Sequence, residues 1–78
     1  MTIKFKALLK ILDRYGISER QGSKATHFIL SKEIEGTKQI VTIAVHNNEV
    51  YDKYVSLIRE KFQLKRKHGV SDREFYGK

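Results

Sequence analysis

The chain of 78 residues has no cysteine, no proline, no tryptophan and one methionine. Without cysteine there is no disulfide framework, no thiolate zinc site and no cysteine nucleophile. No apolar run approaches the roughly 20 residues that a membrane span needs. The opening Met-Thr-Ile-Lys-Phe-Lys leads into an amphipathic pattern with no hydrophobic signal region. The expectation is a soluble, unexported, cytoplasmic protein with no membrane partner. The five glycines are dispersed, which excludes a Gly-rich phosphate loop. His27, His46 and His68 match no local ligand spacing, and Glu33, Glu35 and Asp52 are unclustered, so no metal site and no cofactor are expected.

Acidic residues are also scarce. Nine Asp and Glu stand against sixteen Lys and Arg, giving a formal net charge of +7. The excess lies at the two ends, with four bases against one acid in residues 1–16 and five against two in residues 65–78. Its densest point is Lys65-Arg66-Lys67-His68. Such a balance attracts phosphate polyanions, nucleic acid first among them. The chain is too short to enclose two cores, so residues 1–78 are one domain.

Phe5, Leu8, Leu9, Leu12 and Tyr15 recur at three- and four-residue steps, which predicts a helix over Ile3 to Tyr15. Thr2 is the expected N-cap and Gly16 the stop. Residues 17–21 can form a short edge strand, and Gly22-Ser23 is a turn signal. A strand is expected over Ala25 to Lys32. Glu35-Gly36 marks a hairpin break, and Lys38 to His46 is the clearest strand. Asn47-Asn48 reads as a helix start, followed by a stripe of Tyr51, Tyr54, Val55, Ile58 and Phe62 that ends near Leu64. Ser71 to Glu74 has the pattern of a capping box for a terminal turn.

The order α-β-β-β-α predicts an α+β fold, a three-stranded antiparallel sheet with both helices on one face. The other face stays open. By strand alternation it carries His27, Ile29, Ile40, Thr42 and His46. Phe5, Phe28, Tyr54 and Phe62 are expected in the core, and Tyr51 and Tyr76 at the surface.

Histidine is the side chain best suited to proton transfer near neutral pH. An RNase can work without metal if a histidine takes the proton of a ribose 2′-OH while cations stabilise the phosphate. His27 and His46 are the candidates on the open face. His46 also directly precedes the expected helix start. His68 sits in the basic run, where phosphate contact is the natural role.

Together, the first helix ending in Gly16, then Gly22-Ser23 and His27, then Thr42-Ile43-Ala44-Val45-His46, Val55-Ser56-Leu57-Ile58-Arg59-Glu60-Lys61-Phe62 and Gly69-Val70-Ser71-Asp72-Arg73-Glu74-Phe75 resemble the HicA-like (YcfA-like) toxin family. The resemblance spans nearly the whole chain. It implies a fold similar to the double-stranded-RNA-binding domain and a metal-independent mRNA interferase with a sheet histidine as the catalytic residue. It also implies a HicB-like antitoxin partner that covers the site.

His27 then takes the catalytic role, with Lys24, His46, Lys65, Arg66 and Lys67 as nucleic-acid contacts. The family places the histidine at once, or one residue, after Gly-Ser. Here Lys24, Ala25 and Thr26 intervene, a displacement of about 6–7 Å along a strand. The family's Pro-Arg-His reads Ala44-Val45-His46 here.

Two other functions fit the same residues. A non-catalytic module of this fold would hold double-stranded RNA by its shape. An interaction protein would use the open face if Ile29 and Ile40 are exposed together.

Overall fold

The structure, a computed structural model, describes residues 2–77. In chain order they form β1 (Thr2–Lys4), α1 (Phe5–Arg14), β2 (Ser18–Gln21), β3 (His27–Ile34), β4 (Thr37–Ala44), β5 (Glu49–Tyr51), α2 (Asp52–Lys61), a 3-10 turn (Arg66–His68) and α3 (Asp72–Tyr76). The fold is α+β. An antiparallel sheet runs β2-β3-β4, and β1 and β5 make a separate antiparallel pair.

Strand alternation sets the layers. Phe28 pairs with Ile43 and Leu30 with Val41, so these four side chains share one face. Leu30, Val41 and Ile43 are buried there in one cluster with Phe5, Leu8 and Leu12 of α1 and Val55 and Ile58 of α2. Both long helices therefore lie on the same face, as expected. Burying each such side chain contributes about 1.5–3 kcal/mol. The β3–β4 turn is Glu35-Gly36, with φ of 51° and 80°, the primed geometry that suits a two-residue hairpin.

The N-terminus departs from its helical pattern. Residues 2–4 pair with Tyr51, Val50 and Glu49 instead of starting α1. The Thr2 hydroxyl donates to the Glu49 carboxylate, and Lys4 Nζ lies 3.7 Å from it. The Thr2 hydrogen bond, then the Lys4 charge, hold the Glu49 carboxyl below its ordinary value of 4.5. Thr2 is therefore not the N-cap. The first free amide of α1, on Phe5, donates to the Asn48 carbonyl at 2.9 Å, and no side chain caps the helix.

Asn47-Asn48 likewise does not start a helix. Its φ values are 52° and 61°, and His46 and Glu49 exchange both backbone hydrogen bonds across it. This is a tight primed turn, which asparagine tolerates better than most residues. α2 begins four residues later, at Asp52. Asn48→Ala is expected to cost about 1 kcal/mol because alanine disfavours positive φ, whereas Asn48→Gly should cost nothing measurable. Urea denaturation of the two variants checks this.

α2 stops at Lys61 with Gln63 in the left-handed region (φ 58°). The amides of Leu64 and Gln63 return to the carbonyls of Arg59 and Glu60, a Schellman closure. Ser71 caps α3 as expected, accepting the Glu74 amide at 3.1 Å. The end of the chain is then fastened from two sides. Arg14 Nη2 donates to the Phe75 carbonyl at 2.9 Å, and the Arg59 guanidinium lies 4.8 Å from the fully buried Phe75 ring. Among the described residues no helix is long and apolar enough to cross a membrane.

Candidate nucleic-acid interface

The uncovered face of the β2-β3-β4 sheet follows directly from the register. One row is His27 beside Ala44. The next is Arg20–Ile29–Thr42, and the next Ser18–Ser31–Ile40. Directly opposed residues point to the same side, so these side chains form one surface. Ile40 is 47% exposed and Ile29, diagonal to it in the adjacent row, is half-buried, a small apolar patch among polar residues.

His27 is the first residue of β3. Its carbonyl accepts the Gly22 amide at 2.7 Å, and its amide donates to the Lys24 carbonyl at 3.0 Å. On one side it faces Gly22, where a Cβ would come within 3.4 Å of the His27 Cβ. On the other it faces Ala44. Glycine and alanine leave the imidazole flanked by no bulky neighbour in its own row. Its ring is half-buried and makes no hydrogen bond among the described residues.

Arg20 and Thr42 are its diagonal neighbours across the two ladders, about 7–8 Å away at the backbone. The Lys24, Ala25 and Thr26 that separate Gly22-Ser23 from His27 form a wide turn. The turn is tied down by Gln21 Nε2 donating to the Ala25 carbonyl at 3.1 Å and the Val45 amide donating to Thr26 at 2.7 Å. Lys24 is exposed on this turn, next to His27.

The other expected contacts lie elsewhere. His46 lies in the Asn47-Asn48 turn just beyond the end of β4, exposed and two residues past Ala44, the partner of His27. Lys65, Arg66 and Lys67 line a groove of about 980 Å³ that contains no residue of β2, β3 or β4. Lys67 and Lys65 lie 2.9 and 3.5 Å from the Glu60 carboxylate, whose pKa the Lys67 hydrogen bond lowers. His68 accepts the Lys65 amide on Nδ1 at 3.2 Å, a local fastening of the 3-10 turn.

His27 and Lys24 are thus brought together at one turn, while Lys65–Lys67 line the groove away from the sheet. Arg20 is the member of the site that sequence pattern alone misses. Its signal is parity: it sits two residues before Gly22 on the same hairpin, but only the register places it beside His27. No family model, characterised protein or solved structure matches the chain.

Proposed function

We propose that the protein is a cytoplasmic RNA-binding protein that cuts single-stranded RNA through its open sheet face without a metal. This is the activity that the resemblance to HicA-like toxins implies. The observation that carries it is the placement of His27 between Gly22 and Ala44, with Arg20, Thr42 and Lys24 around it.

In this reading the His27 imidazole accepts the proton of a ribose 2′-OH. The 2′-oxygen bonds to the adjacent phosphorus, and the bond to the 5′-oxygen breaks. The departing oxygen takes a proton from solvent, leaving a 2′,3′-cyclic phosphate and a 5′-hydroxyl. Arg20 and Lys24 stabilise the charge that develops on the phosphate. Ile29 and Ile40 offer an apolar bed for an unstacked base. An antitoxin protein of the HicB type would silence the enzyme by covering this face.

Incubation of the purified protein with a single-stranded oligoribonucleotide in excess chelator tests the proposal. Cleavage with cyclic-phosphate ends is expected. RNA that is bound but left intact would reduce the protein to a non-catalytic binding module.

A further inference from the structure

The groove on the helix layer has a composition that RNA binding does not use. Its floor is aliphatic, built from Ile3, Ala7, Ile11 and Val55, and Tyr76 forms one wall. Burial pushes the Tyr76 hydroxyl above its ordinary 10.0. The rim is cationic: Lys4, Lys65, Arg66 and Lys67 line it, against Asp52 as the lining acid. Lys4, Lys65 and Lys67 pair with Glu49 and Glu60, whose side chains are 41% and 47% exposed. Pairs in that much solvent are weak and exchangeable. Arg66 has no ion pair among the described residues and is exposed.

We infer that this groove is the docking site for an acidic amphipathic helix of a partner protein. Its volume is at the upper end of the range of small-molecule clefts, about 300–1,000 Å³, and both α1 and α2 line it. An aliphatic lining on two facing helices suits one apolar stripe of a third helix. A phosphate backbone would gain nothing from the aliphatic floor, whereas a helix with apolar residues at i, i+3, i+4 and i+7 buries them there. Its acidic flanks then meet Arg66 and displace Glu60 from Lys65 and Lys67. Ala7 and Ser56, small and exposed on the facing helices, provide the clearance. The surface is separate from the His27 face, so this inference stands or falls independently of RNA cleavage.

The test is a displayed library of helical peptides with a fixed leucine stripe and polar positions randomised among Asp, Glu, Lys, Arg, Ser and Gln. Selection on the full-length protein should enrich Asp and Glu. The enriched peptide, titrated into labelled protein, should shift the resonances of Ala7, Ile11, Val55 and Tyr76. Arg66→Glu should weaken it about tenfold, and a peptide with lysine in place of its acids should recover the loss on that variant. Ala7→Glu, at an exposed helical position, should abolish binding with the melting temperature unchanged. A selected pool without acidic bias overturns the inference. So do shifts confined to the open sheet face, or an RNA oligonucleotide that occupies the groove in the peptide's place.

Discussion

His27→Ala is expected to slow RNA cleavage by about 10²–10⁴-fold, the usual worth of a positioned general base, while thermal stability stays within error. The two halves of this expectation have separate grounds. The loss of rate follows from the proposed role of the imidazole as proton acceptor. The unchanged stability follows from what the ring does not do: it makes no hydrogen bond among the described residues and lies outside the buried cluster. The hydrogen bonds that fix the residue come from its backbone, to Gly22 and Lys24, and alanine keeps both. Arg20→Ala should lower the rate as well, because its charge lies on the same sheet face, and should flatten the salt dependence of binding. A His27→Ala variant that cuts at the wild-type rate would remove His27 from the chemistry.

Arg59→Ala is expected to destabilise the fold by about 2–4 kcal/mol, through carbonyls that lose a charged donor and lost packing. Arg59 Nε donates to the Leu64 carbonyl at 2.9 Å and Nη2 to the Val70 carbonyl at 3.1 Å. Nη1 meets Asp72 at 2.6 Å, and the guanidinium lies over Phe75. The planar fork does this in one geometry, so Arg59→Lys should recover less than half of the loss. Asp72→Asn should cost less than about 1 kcal/mol. The Arg59 side chain is 11% exposed and its Asp72 partner 82%, so the ion pair faces water while the carbonyl contacts do not. Urea denaturation separates the three variants. Equal losses for Arg59→Ala and Asp72→Asn would mean that the ion pair, not the carbonyl capping, holds the C-terminal segment.

The sheet was legible because period-two alternation in residues 28–43 admits one buried face, and Gly16, Glu35-Gly36 and Ser71 carry turn and cap chemistry of their own. The open-face set His27, Ile29, Ile40 and Thr42 followed from the same alternation. The failures share a cause. Ile3 fits a helical stripe and a strand equally well, and what decides is β5, more than 40 residues away. Asn47-Asn48 signals a helix cap and a primed turn with the same residues, and only the pairing of His46 with Glu49 selects the turn. Arg59 looks like any helical surface base until Leu64 and Val70 turn their carbonyls toward it. The cationic groove depends on how α1 and α2 pack, which no local pattern encodes.

The proposed activity requires RNA to sit on the open face of the β2-β3-β4 sheet. Titration of labelled protein with a short single-stranded oligoribonucleotide, followed by amide chemical shifts, measures this directly. Binding through the face should move Arg20, Lys24, His27, Ile29, Ile40 and Thr42, and leave Ala7, Val55 and Arg66 still. Shifts confined to Lys65–Lys67 and the helix groove, with the His27 row unmoved, would contradict it.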